Sequence, residues 1–151
     1  MKRPFETWIL IVLMALLAIN AFYGGISLML APDGSLLGMQ LGWLDKSPFN
    51  SYFIPGFLLF LMNGIFPLLA VYGLITKNLT WFGWLNIYKN RCWGWTFAVY
   101  SGIITNIWII VQQLMAGYFI LQTMIAAVGL LILVAALLPR VMRYYNIKSE
   151  K

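Results

Sequence analysis

Residues 92–139 read CWGWTFAVYSGIITNIWIIVQQLMAGYFILQTMIAAVGLLILVAALLP, without one charged side chain between Arg91 and Arg140. A helix needs about 20 apolar residues to cross a hydrocarbon core of roughly 30 Å. The stretch is therefore too long for one span and right for two joined by a tight turn. Gly117 breaks the pattern and places that turn near Met115–Tyr118. The two halves become helices over about 93–114 and 119–138, and Pro139 ends the second.

Two further charge-free stretches, 7–32 and 47–76, each fit one span, at about 8–30 and 52–76. The whole chain, residues 1–151, reads as a single transmembrane domain. Composition agrees. Hydrophobic residues make up 62% and charged residues 9%, with mean hydropathy +0.85. A soluble domain carries about 25% charged residues. The expected fold is all-α: an integral membrane four-helix bundle with a structured outer loop between helices one and two. Lys2 and Arg3 before the first span also suit a signal peptide. Its apolar run is longer than the usual 7–15 residues, roughly, and no small-residue cleavage site follows, so a retained helix is expected.

The few charges are sorted. Lys2, Arg3, Lys77, Lys89, Arg91, Arg140, Arg143, Lys148 and Lys151 fall on one side of such a bundle, and Lys46 alone on the other. Positive charge collects on the cytoplasmic side, so both termini and the middle connection are expected there. The net charge of +6 is then a topology signal. Its expected partner is anionic lipid, not nucleic acid.

Composition also limits chemistry. There is no histidine and one cysteine, Cys92. An intrachain disulfide is impossible, and triad catalysis and histidine- or cysteine-based metal and haem sites lack their ligands. No cofactor or metal is expected. The acids are Glu6, Asp33, Asp45 and Glu150, all outside the spans. Ion-coupled transport usually places an ionisable residue inside one.

Uncharged polar residues do enter the spans. Asn20, Asn63 and Asn106 lie 12, 13 and 13 positions from Trp8, Thr76 and Trp93. At a rise of about 1.5 Å per residue, all three fall about 18–20 Å from the cytoplasmic edge. Pro67 lacks an N–H, so the carbonyl of Asn63 loses its helical partner. This level reads either as an interhelical packing layer or as the polar point of a pocket for a hydrophobic molecule. Nearer the outer face, Ser27, Gln112, Gln113, Gln122 and Thr123, with Asp33 and Asp45 above, read as a vestibule or as helix ends at the headgroups.

The connections carry patterns of their own. Pro32-Asp33-Gly34 marks a turn. Leu36, Leu37, Met39, Leu41, Trp43 and Leu44 are expected on the membrane surface or over the bundle mouth. Gly34, Gly38 and Gly42 suit an irregular loop better than a helix. Ser47-Pro48 matches an N-cap, so helix two is expected to start early and bend at Pro55. Trp81, Trp84, Leu85 and Tyr88 have the spacing of a short interfacial amphipathic helix. Gly94, Ala98 and Gly102 form a small-residue face for packing within the bundle or for a homodimer.

Gly24-Gly25, the Pro32–Met39 run, Ser47-Pro48-Phe49, Ile54-Pro55-Gly56, Leu85-Asn86-Ile87-Tyr88, Trp93-Gly94-Trp95 and Val111-Gln112 resemble a pattern in small bacterial four-span membrane proteins. In length and span count the chain is also loosely similar to the DoxX-like group. The resemblance implies a bacterial inner-membrane location and carries no settled activity. The chain lacks the Cys-x-x-Cys of membrane thiol oxidoreductases and the His/Glu sets of sterol isomerases. Three functions follow as expectations. The first is a non-enzymatic accessory, scaffold or self-associating subunit with a homo-oligomeric or other membrane-protein partner. The second is a binder or carrier of a lipid or other hydrophobic molecule. The third is an enzyme working through Asp33, Asp45 or outer Tyr and Ser residues.

Overall fold

The computed structural model describes residues 2–77, 82–116 and 118–147. Four of its helical segments are long and apolar enough to cross a membrane: Phe5–Leu30, Phe53–Thr76, Trp93–Met115 and Ile120–Leu137. The protein is an all-helical, multi-pass membrane bundle. The turn expected at Gly117 lies outside the described residues, as do Trp81, Lys148, Glu150 and Lys151.

Helix α1, Phe5–Leu30, turns Leu10, Met14, Leu17, Ala21 and Leu28 inward at steps of three, four and seven. Val12, Leu16, Ile19 and Tyr23 face outward, where lipid can cover them. The helix stops at Ala31, because the residue before a proline is pushed out of helical geometry. The second span is α2, Phe53–Leu59, a π-helical segment, Phe60–Ile65, and α3, Phe66–Thr76. The third is α4, Trp93–Ala116, and the fourth α5, Ile120–Leu137. A short α6, Pro139–Tyr144, follows. Each span packs on the next, and α5 closes the ring against α1.

Glycines set the closest crossings. A Cβ on Gly94 would stand 2.3 Å from the Gly73 carbonyl carbon. One on Gly102 would meet Leu133 of α5 at 2.6 Å. Ala98 is fully buried between them. The small-residue face of α4 is thus spent inside the bundle, between α3 and α5.

The interior is unevenly filled. Leu10, Met14, Leu74, Trp93, Trp95, Phe97 and Tyr145 form one dense core at the end that holds the termini. Phe97 anchors it, with Phe66 stacked at 4.8 Å and Trp93 edge-on at 5.2 Å. The C-terminal segment ties this end shut. The Cys92 N–H donates to the Tyr145 carbonyl and the Ile147 N–H to that of Asn90, at 3.1 and 2.9 Å. Arg3 donates to the Ile75 carbonyl, Arg140 pairs with Glu6, and Lys77 sits over the Tyr144 ring. Arg3, Lys77, Arg91 and Arg140, from the N-terminal, middle and C-terminal segments, therefore share one end.

Two local expectations are corrected. Among the described residues, the connection from Phe82 to Arg91 is turns and a single β-bridge, not a helix. Phe82 takes φ +52 and turns into the core against Trp93, Tyr88 lies edge-on to Trp95, and Trp84 faces outward. The described residues of the spacing that looked amphipathic thus lie in this non-helical connection, and Trp84 and Tyr88 do not share one helical face. Helix two also does not start at Ser47. The Ser47 hydroxyl accepts the Phe49 N–H in a local turn, and helix begins at Phe53. Pro55 then lies in the first turn, where a missing N–H costs little, and the irregularity falls in the π segment instead.

Candidate functional site

The loop from Ala31 to Tyr52 roofs the other end of the bundle. It is irregular, with two short 3-10 turns, Ser35–Leu37 and Leu41–Leu44. Gly34 and Gly38 take φ +83 and +65, a left-handed geometry that glycine adopts without strain. Buried Tyr52 anchors the loop: its N–H donates to Pro32 and its hydroxyl to Gln40, at 2.8 and 2.7 Å. Leu44 packs beneath, on Leu28 and Tyr52. Trp43 stacks on Phe119, ring centres 6.2 Å apart, and so links the roof to the start of the fourth span.

Under this roof lies a cavity of about 310 Å³, walled by α1, the π segment, α4 and α5. Leu37, Met39 and Trp43 cover it; Leu17, Ala21, Trp108, Ile109 and Ile125 form its sides. A smaller cavity of about 160 Å³ shares Leu28, Met39, Leu59, Trp108 and Gln112 with it. The polar side chains on the walls of the larger one are Asn20, Asn63 and Gln112, and among the described residues no charged one lines either.

Asn63 is the distinctive member. It sits in the π segment, four residues before Pro67. The proline supplies no N–H and crowds the preceding turn, and the helix answers by widening. The Phe66 N–H accordingly donates to Leu61, five residues back. This extra residue per turn turns both Asn63 and Gly64 inward, and Gly64 lies against the Phe22 ring. Asn63 is 1% exposed. Its Oδ1 accepts from Thr105 Oγ1 at 2.7 Å, while that hydroxyl also lies 2.8 Å from the Ser101 carbonyl. One proton serves one acceptor at a time, and in this arrangement Asn63 Nδ2 is buried with no partner among the described residues. Such a group costs about 1–3 kcal/mol.

The cavity brings two of the three asparagines together. Asn20 and Asn63 line the cavity. Asn106 faces away, donating to the Gly102 carbonyl at 2.8 Å and lying against Gly129 of α5. Pro67 is buried and acts through the helix it distorts. The outer polar residues are also dispersed. Gln112 lines both cavities, whereas Gln122 is buried at the start of α5, where its Oε1 accepts the Phe119 N–H. Ser27 and Gln113 are half-buried on their helices, and Thr123 donates to the Tyr118 hydroxyl. Asp33 is exposed, and two hydrogen bonds from Ser35 hold its carboxyl below the usual value. Asp45 borders a separate shallow depression with Ser47 and Asn50.

Thr105 and Trp108 escaped the sequence reading. Ser101, Thr105, Trp108, Ile109 and Gln112 recur at helical steps, and that face was the available sign. Comparison with protein-family models, with curated proteins and with solved structures found no match.

Proposed function

We propose that this protein binds a hydrophobic small molecule in the cavity beneath its outer loop, as a binder or carrier and not as an enzyme. The observation that carries the reading is the unpartnered amide of Asn63, a residue on the wall of a mostly apolar cavity that Asn20 and Gln112 also line. A volume of about 310 Å³ is within the range of ligand sites, about 300–1,000 Å³, and such sites combine apolar walls with a few placed polar groups. We further propose a bacterial cytoplasmic membrane as the location, with both termini cytoplasmic and the roof outside. The distribution of the basic residues supports the orientation, and the family resemblance supports the membrane.

The test fills the cavity. Gly24 lines it, and a Cβ there meets only the flexible end of Leu59, at 3.3 Å. Protein purified in mild detergent is expected to retain an apolar molecule visible by native mass spectrometry, and Gly24→Leu is expected to lose it. Retention of the same molecule by both proteins would place it elsewhere and remove the reading.

A further inference from the structure

The cavity's chemistry narrows what it takes. Among the described residues no arginine, lysine or acid lines it, so a phosphate, carboxylate or ammonium group would be buried there without a counter-charge. Gln112, three residues from the outer end of its span, is the uncharged polar group near the roof, and Asn63 is a deep one. Asn63 lies 13 residues from Thr76 and 10 from Phe53, the two ends of its span. At about 1.5 Å per residue it is near the middle of the bilayer. The opposite end of the cavity is closed by Leu37, Met39 and Trp43. A lipid held by its charged headgroup needs a counter-charge near the membrane surface, and Gln112 there supplies none.

The unpartnered Nδ2 is a donor, and it is sealed from solvent. Asn63 itself lines the cavity, and the terminal torsion of asparagine is soft, so the side chain can adjust to an oxygen that enters there. What it lacks is an acceptor. A cavity of about 150 Å³ holds benzene, and by that measure 310 Å³ takes about twelve heavy atoms. The neighbouring cavity, behind Trp108 and Gln112, extends the apolar path toward Tyr52.

We infer that the ligand is an uncharged amphiphile of about a dozen or more heavy atoms, bound with a carbonyl or hydroxyl oxygen at Asn63 and its hydrocarbon chain running outward beneath the roof. This rests on the binding function proposed above and adds to it the ligand's charge, its polar group and its orientation.

Four probes of equal chain length test it: dodecane, 1-dodecanol, 2-dodecanone carrying ¹³C at the carbonyl, and dodecanoate. Each is titrated into protein in neutral phosphatidylcholine nanodiscs, with Gly24→Leu as the filled-cavity reference. The alcohol and ketone are expected to bind about ten-fold more tightly than dodecane or dodecanoate, the effect of one desolvated hydrogen bond. Asn63→Leu is expected to bring alcohol, ketone and alkane within about two-fold of one another while leaving alkane binding unchanged. Should that variant fail to fold, the infrared band of the labelled carbonyl reads the same contact in the unaltered protein. It should shift to lower frequency relative to empty nanodiscs and to the Gly24→Leu protein. Equal binding of alkane and ketone, or binding of dodecanoate as tight as that of the ketone, overturns the ligand class and leaves the cavity function standing. No binding of any probe beyond the Gly24→Leu level overturns both.

Discussion

Asn63 separates a packing role from a binding role, because the two predict opposite responses to its removal. If the asparagine holds the bundle together, Asn63→Leu loses the Thr105 bond, worth about 0.6–1.7 kcal/mol inside a membrane protein. If it is kept for a ligand, the same change also removes a buried donor that has no partner. Thr105 keeps the Ser101 carbonyl as its acceptor in either case. We therefore expect the ligand-free Asn63→Leu protein to be as stable as the original or slightly more so, by thermal unfolding in detergent. A clear loss of stability would restore the packing role. Tyr145 shows the contrasting case of a satisfied buried group. Its hydroxyl donates to the Leu74 carbonyl at 2.8 Å, and burial pushes the phenol's pKa up. The folded state then keeps a proton that the unfolded chain releases above about pH 10. Stability is full below that pH and falls as pH rises through and beyond it. Tyr145→Phe should cost about 0.5–1.5 kcal/mol near neutrality and flatten the alkaline fall, which denaturation curves at neutral and alkaline pH would show.

At the scale of elements, backbone contact and local strain give different penalties for the same added methyl group. On Gly94 it would meet the backbone of Gly73 and Leu74 at 2.3–2.5 Å, and two helices would have to part. On Gly38 it would meet nothing, and the cost is only the left-handed φ of +65. Gly94→Ala is expected to destabilise by about 1–3 kcal/mol or more, and Gly38→Ala by about 1–2 kcal/mol. Melting of both variants beside the parent would reveal a reversed order if the crossing were loose. These elements also mark the limit of what the sequence disclosed. The spacing of Gly94, Ala98 and Gly102 announced close packing but not the partners, because a stripe of small residues looks alike to α3, to α5 and to a second chain. Pro67 announced a disturbed turn near Asn63. It did not announce that the turn would widen and so rotate Asn63 toward Thr105. The Phe82–Arg91 connection failed for a related reason. Periodicity reads one face, while Trp95 draws Tyr88 to itself and Phe82, which is not on that face, turns into the core against Trp93.

For the whole molecule, the scarcity of charge made the spans legible, since a bilayer tolerates so few interruptions. The cavity was not legible, because an empty interior depends on how four helices lean together and not on any one of them. The division of labour follows the membrane. The end that holds the termini is filled with aromatic rings and clasped by the C-terminal segment, while the other end is hollow beneath an anchored loop. If the basic end is cytoplasmic, the hollow end lies in the outer half of the bilayer, and the site is served from that side. Single cysteines decide this. Cys92 is buried, and Cys92→Ser provides a thiol-free background. Lys46 on the outer loop and Trp84 on the middle connection are both exposed. A membrane-impermeant maleimide added to intact cells is expected to label Lys46→Cys, and to label Trp84→Cys only after the membrane is opened. The opposite pattern would invert the protein and place the cavity in the inner half of the bilayer, against the charge distribution.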